Sequence, residues 1–505
     1  LSGSNTVTIT ITGTNDTPLI SAKDTTAGDV AALAETDATL TTTGSFTVTD
    51  IDTTDTVTAA ISNVALTGSF TNSGSTLPSA LSSNGHQALK SMLVLTPVAG
   101  TAMAADATAG TSFNWAFTSG ASGDSAFEFL REGETLTLTY TLTLTDNSGA
   151  SGSDASAATT TTVAITITGT NETPQISNAP DTAALTETNT TLSASDSFTV
   201  TDADLSDTVA ATVDAVVISG GSYLTAGQTV PSSLTATSNA ALKSMLSLSA
   251  AGGVGALGAD PSAGSAFTWA FNTGNSGDSA FNFLASGESL ELTYTVKTTD
   301  NSGATSGEAT VDASTVRVTI TGTNDSPNIA VLDVTGLVVE DSTATNSNQL
   351  RDSGAISFDD ADLSDLARVS HAFVSATPSA GASLSAPLDA ALRDLARTFT
   401  ISGDGVTSSA AYGRVDWQFA LDNALTQYLA AGETITATYR ITVTDDSGFT
   451  SANGNDALNR RTQDVVVTIR GVTDQPQTAI VDSYGQEAQG PARGEINLGL
   501  AQFNG

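Results

Sequence analysis

The feature that most constrains this chain is a motif that returns about every 150 residues. Thr-Gly-Thr-Asn followed by an acidic residue, one further residue and Pro begins at Thr12, Thr168 and Thr321, and a weaker copy begins at Arg470. The motif glycines are 156, 153 and 149 residues apart. One tryptophan falls in each interval: Trp115, Trp269 and Trp417. Self-similarity at a fixed period indicates one structural unit built several times, so the chain is predicted to contain three tandem repeats.

The motif positions set the predicted domain boundaries. Residues 1–17 are predicted to be the last strand of a preceding repeat plus a linker, which makes the sequence look like an excerpt from a longer protein. The repeats occupy residues 18–172, 173–325 and 326–474, and the third is divergent. Residues 475–505 are predicted to be the start of a further unit or a tail. Repeats of about 150 residues are long enough to bury a core without disulfides.

Within each repeat, apolar and polar residues alternate. From Leu136 to Leu144 every second residue is Leu or Tyr with threonines between them, and Val163–Thr168 follows the same rule. Alternation with β-branched residues, bounded by Gly, Asn and Asp, is typical of antiparallel strands with one exposed face. Several such strands per repeat predict a β-sandwich of the immunoglobulin type. Short helical turns are predicted at residues 88–93, 125–130 and 240–246.

Composition excludes several classes of function. The chain has 16 Lys and Arg against 53 Asp and Glu, a formal charge of −37, and so lacks the basic face that nucleic acids and anionic lipids require. With no cysteine and two histidines, it cannot form disulfides, thiolate sites or a His-built zinc centre. No apolar run reaches the roughly 18 residues needed to span a bilayer, so no membrane insertion is predicted. The Gly-Asp-Ser segments at residues 123–125 and 277–279 could suggest a hydrolase serine. No histidine recurs with them to act as a base, so the chain is predicted not to be an enzyme.

Acidic residues recur at corresponding positions of every repeat. Each repeat has an Asp-x-Asp-x-x-Asp cluster, an Asp after its longest strand, a Glu after the linker and a Glu before the longest strand. The clusters are Asp50, Asp52 and Asp55 in the first repeat, Asp202, Asp204 and Asp207 in the second, and Asp360, Asp362 and Asp365 in the third. The Asp after the longest strand is Asp146, Asp300 or Asp445. The Glu after the linker is Glu35, Glu187 or Glu340, and the Glu before the longest strand is Glu134, Glu288 or Glu433. An immunoglobulin-like strand order places the aspartates and the incoming linker at one end of a repeat, and both glutamates at the other. Each junction is therefore predicted to gather acids from three segments.

Converging carboxylates repel one another unless a cation neutralises them. Carboxylate and Asn oxygens without His or Cys favour Ca²⁺ over zinc, copper or iron, and Mg²⁺ is less favoured because it demands stricter octahedral geometry. The alternative is that these residues only form turns and caps. Threefold recurrence at the same places favours calcium. At the first junction the predicted ligands are Asn15, Asp16, Asp50, Asp52 and Asp146.

Taken together, these motifs resemble the VCBS repeat of very large bacterial surface proteins and secreted RTX-type adhesins. The likeness rests on the Thr-Gly-Thr-Asn motif, on the stretches Phe129–Tyr140 and Phe283–Tyr294, and on Thr-Asp-Asn-Ser-Gly. The layout also resembles cadherins, in which an Asp-x-Asp pair, an Asp/Asn-rich linker and a Glu before strand F bind calcium between domains. The resemblance implies an all-β fold of three tandem immunoglobulin/cadherin-like Greek-key β-sandwich repeats in an elongated array.

Transferred residue by residue, the resemblance implies two further ligand sets. The second junction would use Glu35, Glu134, Asn171, Glu172, Asp202, Asp204 and Asp300. The third would use Glu187, Glu288, Asn324, Asp325, Asp360, Asp362 and Asp445. Glu172 replaces the linker Asp and changes the reach of that ligand. At the fourth junction Thr473 replaces Asn before Asp474, which weakens the case for calcium there.

The function implied by the resemblance is a calcium-stiffened extracellular spacer or adhesion segment of a large bacterial surface adhesin or fibre. Its partners would be adjacent repeats of the same long chain, and its location the outside of the cell. Junctions would bend freely without calcium and stiffen with it. The alternative is a glycan-binding or self-associating module in which the insertion near residues 66–110, or the third repeat, holds the ligand site.

Overall fold

The computed structural model describes residues 3–23, 30–120, 126–148, 158–177, 181–253, 255–261, 263–274, 280–302, 311–342, 348–404, 411–447 and 459–474. The predicted tail at residues 475–505 lies outside this part of the chain. The chain divides into two compact units, the first Leu1–Phe281 with Gly287–Gly322, and the second Asn282–Ser286 with Thr323–Gly505. The first unit contains two pairs of β-sheets and the second unit contains one pair.

The first repeat consists of nine strands and two short helices in its described residues. They are β1 (Leu19–Lys23), β2 (Val30–Ala34), β3 (Thr41–Thr49), β4 (Thr56–Thr67), α1 (Ser69–Asn72), α2 (Ser79–Ser91), β5 (Leu93–Thr96), β6 (Met103–Ala104), β7 (Thr111–Thr118), β8 (Thr135–Asp146) and β9 (Ala158–Thr168). One sheet has the strand order β1-β3-β7-β5 and the other β2-β9-β8-β4-β6. Strands β2 and β9 are parallel, and the other neighbours are antiparallel.

The second repeat has the same strands and α-helices in the same order, with a 3₁₀-helix at Ala251–Gly253 in addition. They are β10 (Gln175–Ser177), β11 (Asp181–Thr186), β12 (Ser193–Thr201), β13 (Thr208–Gly220), α3 (Ser222–Thr225), α4 (Ser232–Ser244), β14 (Leu246–Ala250), β15 (Leu257–Gly258), β16 (Ser265–Asn272), β17 (Ser289–Thr299) and β18 (Val311–Thr321). Its sheets are β10-β12-β16-β14 and β11-β18-β17-β13-β15, again with one parallel pair, β11 and β18.

The third repeat has eight strands and one α-helix in its described residues, with a 3₁₀-helix at Asn423–Leu425 in addition. They are β19 (Asn328–Asp333), β20 (Thr335–Val339), β21 (Gln349–Asp359), β22 (Arg368–Pro378), α5 (Ala386–Leu392), β23 (Phe399–Ile401), β24 (Tyr412–Asp422), β25 (Thr434–Thr444) and β26 (Arg460–Arg470). Its sheets are β19-β21-β24-β23 and β20-β26-β25-β22. Each repeat is thus an immunoglobulin-like Greek-key sandwich, which confirms the predicted all-β fold of three tandem sandwiches.

The alternating pattern accounts for the cores. The five apolar residues of β8 are all buried at 0% exposure, and the threonines between them face outward. The three tryptophans are buried, and those of the first and third repeats lie in the core between the two sheets. At Gly44, which faces Trp115 across the sheet, a Cβ would lie 2.4 Å from the indole ring. Only glycine leaves room for the ring there.

The insertion predicted near residues 66–110 contains the helices that join the two sheets. In α2, Asn84, Gly85 and His86 have left-handed backbone angles, so this element is two helical turns separated by a loop. The predicted turns at 88–93 and 240–246 end earlier than expected, because Leu93 and Leu246 begin strands. Residues 126–130 form turns and no helix, and residue 125 lies outside the described residues. Among the described residues, no helix is both long and apolar enough to cross a membrane.

Residues 3–18 form no strand in the structure, although strand plus linker is predicted there. Val7, Ile9 and Ile11 are 81%, 79% and 90% exposed. The physical reason is that no described strand pairs with this segment, and an isolated strand has neither a hydrogen-bonding partner nor a surface to bury against.

One buried tyrosine in each repeat fixes the helical insertion to the sheet. The Tyr140 hydroxyl donates to the Leu89 carbonyl at the end of α2, at 2.8 Å. The same bond recurs from Tyr294 to Leu242 at 2.8 Å. In the third repeat it recurs from Tyr439 to Leu392 at 3.0 Å. Burial raises the pKa of Tyr140 above its usual range, so the hydroxyl stays a donor at neutral pH.

We expect Tyr140→Phe to lower the free energy of unfolding by about 1 kcal/mol, because the buried carbonyl of Leu89 loses one of its two donors and keeps only the Met92 N–H. Urea unfolding checks this. The matched control is Tyr412→Phe, which removes the same atom from a side chain that is 71% exposed and should change stability by less than about 0.5 kcal/mol. Equal effects in the two variants would contradict the assigned role of the hydrogen bond.

Candidate metal centre

The strand order brings two acidic segments of each repeat to the linker that enters it. In the first repeat the β3–β4 loop carries Asp50 and Asp52, and β8 ends at Asp146. The linker backbone N–H of Asp16 donates to Asp52 Oδ2 at 2.7 Å, and the Asp52 N–H donates to Asp50 Oδ1 at 3.0 Å. The Asn15 Nδ2 donates to Asp146 Oδ2 at 3.2 Å. All five residues predicted for the first junction therefore lie in one hydrogen-bonded cluster.

The second repeat repeats this scaffold bond for bond. The Glu172 N–H donates to Asp204 Oδ2 at 3.0 Å, and the Asp204 N–H donates to Asp202 Oδ1 at 3.1 Å. The Asn171 Nδ2 donates to Asp300 Oδ2 at 3.4 Å. Asp202 and Asp204 each accept these bonds on one oxygen only, whereas Asp300 also accepts from the Ser302 N–H on its other oxygen, Oδ1, at 2.9 Å.

The third repeat has the scaffold once more, within the second unit. The Asp325 N–H donates to Asp362 Oδ2 at 2.8 Å, and the Asp362 N–H donates to Asp360 Oδ1 at 3.2 Å. The Asn324 Nδ2 donates to Asp445 Oδ2 at 3.2 Å. Burial raises the pKa of Asp360 to about 7 and that of Asp362 to about 9. Asp360 Oδ2 and Asp362 Oδ1 are buried without a hydrogen-bond partner.

The carboxylates of the second cluster are deeply buried. Asp202, Asp204 and Asp207 are at most 1% exposed, and Asp202 Oδ2, Asp204 Oδ1 and Asp207 Oδ2 have no hydrogen-bond partner. Burial raises the pKa of Asp202 to about 7 and that of Asp207 to about 6. Burial also raises the pKa of Asp204 and that of Glu172. The neighbouring Asp204 carboxyl raises the pKa of Glu172 further.

Two glutamates of the first repeat join this cluster. Glu35 is 1% exposed, its Oε2 accepts from the Thr170 hydroxyl, and its Oε1 has no partner. Glu134 Oε2 accepts from the Ser206 hydroxyl of the second repeat at 2.8 Å. A cleft of about 720 Å³ opens here, and Glu35, Glu172 and Asp202 are among its lining residues. The seven residues predicted for the second junction therefore meet within the first unit.

The structure adds one residue that the predicted ligand sets omitted. Side-chain oxygens of Asp202, Asp207 and Asp300 all lie within 4.8 Å of one another, close enough to bind one cation together. Arg131 Nη1 lies 3.4 Å from Asp207 Oδ1, so its positive charge offsets some of the negative charge of this group. Asp207 is the last residue of the Asp-x-Asp-x-x-Asp pattern in the sequence. The predicted ligand set included only the Asp-x-Asp pair and therefore omitted it.

The residues predicted for the third junction are divided between the two units. Glu187 and Glu288 belong to the first unit and the other five residues of the third ligand set to the second. Glu187 is 2% exposed, and its N–H donates to the Thr321 carbonyl at 2.7 Å. The Glu288 carbonyl accepts from the Gly322 N–H at 2.8 Å. Both therefore lie at the end of β18, the last strand of their repeat, as the strand order predicts.

A turn-forming aspartate elsewhere in the chain behaves differently. Asp106 Oδ1 accepts from the N–H groups of Thr108 and Ala109, each at 2.8 Å. These bonds hold the pKa of the Asp106 carboxyl below its usual range. Asp202 has the opposite combination, a raised pKa and an unpaired buried oxygen. Turn formation alone accounts for Asp106 and leaves the outer oxygen of Asp202 unexplained.

Comparison with known proteins gives weak likenesses. No protein-family model and no curated protein sequence matches the chain. Mouse cadherin-23 EC22-24 aligns at 13% identity with a TM-score of 0.29, over 91% of this chain and 100% of that one. The human desmocollin-1 ectodomain aligns at 11% identity with a TM-score of 0.26, over 93% of this chain and 65% of that one. Drosophila N-cadherin EC1-4 aligns at 12% identity with a TM-score of 0.17, over 85% of this chain and 69% of that one. Because TM-scores below 0.5 do not establish a common fold, the fold assignment rests on the strand order.

We expect the metal-free protein to be more stable at pH 5.5 than at pH 8. Folding raises the pKa of Asp202 to about 7 from an ordinary value of 3.8. Between those two values the native carboxyl keeps a proton that the unfolded chain has lost, so stability is lost as the pH rises through about 7. The expected difference is on the order of 1–2 kcal/mol, measured by urea unfolding in chelator. A metal-free protein with higher stability at pH 8 would contradict the burial of unpaired carboxyls.

Proposed function

We propose that this chain is an extracellular spacer or adhesion segment of a large bacterial surface adhesin or fibre, in which Ca²⁺ binds at the junctions between repeats and stiffens them. The observation that carries the proposal is the set of buried, unpaired carboxylate oxygens on Asp202, Asp204 and Asp207. Burying an ionised carboxylate without a partner costs several kcal/mol. A cation bound at these oxygens removes that cost at neutral pH.

The donor set supports calcium as the cation. Ca²⁺ takes six to eight oxygen ligands at flexible positions, whereas zinc, copper and iron prefer imidazole or thiolate. The described residues around the second junction offer carboxylates, with Asp202, Asp207 and Asp300 grouped within 4.8 Å. The same scaffold of hydrogen bonds occurs in three copies, each time with buried unpaired oxygen on the first Asp of Asp-x-Asp. A repeated site of this kind supports a structural cation rather than a catalytic one.

The proposed stiffening depends on the fact that the predicted ligands come from two different repeats. Glu35 and Glu134 come from the first repeat, and Asp202, Asp204 and Asp300 come from the second. Without a cation their like charges repel and the junction loosens. With a cation bound to both sides, the two repeats become one rigid piece. Extracellular calcium modules bind at about 10⁻⁴–10⁻³ M, so stiffening would follow export from the calcium-poor cytoplasm.

We expect millimolar calcium to raise the melting temperature at pH 7.5 relative to chelator, since calcium at about one to ten times a Kd of 10⁻⁴–10⁻³ M stabilises the native state by about 0.4–1.4 kcal/mol for each site. Asp204→Asn should weaken calcium binding at least about tenfold by calorimetry, because one charged ligand is lost. In chelator the same variant should melt at a higher temperature than the wild type, because it removes a repelling charge.

The matched control is Asp214→Asn, on an exposed ion pair with Lys297 at 3.0 Å in the same repeat. It makes the same chemical change and should leave calcium binding unaltered, at a cost of at most about 1 kcal/mol. Calcium binding that is unchanged by Asp204→Asn would rule out this site even if the chain binds calcium elsewhere.

We expect small-angle scattering of the wild-type chain to show a narrower distribution of interatomic distances in millimolar calcium than in chelator. Asp204→Asn should remain broad in both conditions, because its second junction has lost a bridging ligand. This experiment separates stiffening from binding: calorimetric binding without any change in scattering would leave the calcium sites intact and refute the mechanical role.

A further inference from the structure

The turn that precedes the longest strand differs between the repeats in one charged position. Residues 129–134 read Phe-Leu-Arg-Glu-Gly-Glu, residues 283–288 read Phe-Leu-Ala-Ser-Gly-Glu, and residues 428–433 read Tyr-Leu-Ala-Ala-Gly-Glu. When the turns are aligned on Leu and on Gly-Glu, the third position is Arg131, Ala285 or Ala430. Of the three repeats, the first alone has a basic residue at this position.

Two hydrogen bonds fasten this turn of the first repeat to the acidic loop of the second, and both repeats belong to the first unit. The Leu205 N–H donates to the Phe129 carbonyl at 3.2 Å, and the Leu205 side chain packs against the core of the first repeat. The Ser206 hydroxyl donates to Glu134 Oε2 at 2.8 Å. Phe129 and Glu134 stand on either side of position 131, so the fold of the junction brings Arg131 to the acidic loop.

The arginine contacts the last aspartate of that loop. Arg131 Nη1 donates to Asp207 Oδ1 at 3.4 Å. The Asp207 side chain is 0% exposed, whereas that of Arg131 is 39% exposed. The second oxygen of the aspartate, Oδ2, is buried without a hydrogen-bond partner. Asp207 thus has one oxygen turned to a cation that belongs to the chain and another that is available to a second cation.

The same carboxylate belongs to the group that can bind a metal ion. Oxygens of Asp202, Asp207 and Asp300 lie within 4.8 Å of one another. An ion bound by this group would share Asp207 with the guanidinium, and two cations at one carboxylate repel each other. A guanidinium stays protonated in proteins, so it cannot lose its charge when a metal ion binds.

We propose, on the basis of the calcium site proposed above, that Arg131 is a tethered counterion which competes with calcium for Asp207 and lowers the calcium affinity of the second junction. Without calcium, the guanidinium neutralises one buried carboxylate and holds the turn of the first repeat to the loop of the second. With calcium, it is a like charge beside the ion. The second junction therefore stiffens at a higher calcium concentration than it would with the alanine that the other two repeats have at this position.

The test is a calcium titration of the full chain at pH 7.5, followed by hydrogen exchange of individual peptides. A peptide covering residues 200–208 reports the second junction, and one covering residues 358–366 reports the acidic loop of the third repeat. Arg131→Gln removes the charge and keeps a long side chain. It should lower the calcium midpoint of the first peptide by about three- to tenfold, because a repelling charge is lost, and leave that of the second peptide unchanged. Arg131→Lys keeps the charge and should stay within about twofold of the wild type.

The same variant in chelator separates a counterion from a side chain that only fills space. Without calcium, Arg131→Gln should exchange at least about threefold faster than the wild type at residues 200–208, because a buried carboxylate loses its neutralising charge. In saturating calcium it should exchange no faster than the wild type. A purely structural role would give faster exchange in both conditions, and that result would overturn the proposal.

The matched control is Arg317→Gln, which removes the same charge from an ion pair of similar length, 3.5 Å, with Glu291 in the sheet of the second repeat. It should leave both calcium midpoints within about twofold of the wild type. A shift equal to that of Arg131→Gln would identify a general effect of net charge and overturn the assignment to Asp207.

The calcium site and the counterion fail in different ways. If Asp204→Asn weakens calcium binding while Arg131→Gln leaves the midpoint of residues 200–208 unchanged, the counterion is refuted and the calcium site stands. If calcium changes the exchange of neither peptide in the wild type, both proposals are refuted together.

Discussion

Repulsion between carboxylates that are buried close together is the physical constraint that governs the ends of each repeat. Each sandwich is stable through its own alternating pattern, but the scaffold at its linker end holds aspartates close together and out of water. In the second repeat three of them are at most 1% exposed. Such an arrangement is stable only with protons or a cation. The junction is therefore the part of the molecule whose state depends on the solution around it.

The hydrogen bonds that build the scaffold also explain why the acids remain available. In every copy a linker N–H bonds one oxygen of the second aspartate, and that aspartate's own N–H bonds one oxygen of the first. Backbone donors fix the orientation of each carboxylate, and in each repeat they leave an outer oxygen of the first aspartate without a partner. The carboxylates are thus oriented by the fold itself, which would reduce the ordering cost of binding the proposed cation.

The two ends of a repeat have complementary requirements. One end carries the aspartate cluster, and the other carries the glutamates and the tight turn that only glycine fits, at Gly169 and Gly471. A junction is complete when both ends meet.

The period, the sandwich class, the identity of the long strand and the recurrence of the acids can all be read from the amino-acid sequence. These follow from local rules, because a strand with one buried face must alternate and a motif repeated in register must serve the same place in each unit. The seven residues predicted for the second junction meet in the structure for that reason. Local rules also account for the buried tryptophans.

The three-dimensional arrangement was needed to see which oxygen atoms are paired, and why Asp207 belongs with Asp202 and Asp300. It was also needed to see that the Tyr140 hydroxyl bonds the carbonyl at a helix end 51 positions away. These facts depend on contacts between segments far apart in the chain. An alternating pattern states which side chains can be buried, whereas a partner surface in space determines whether they are.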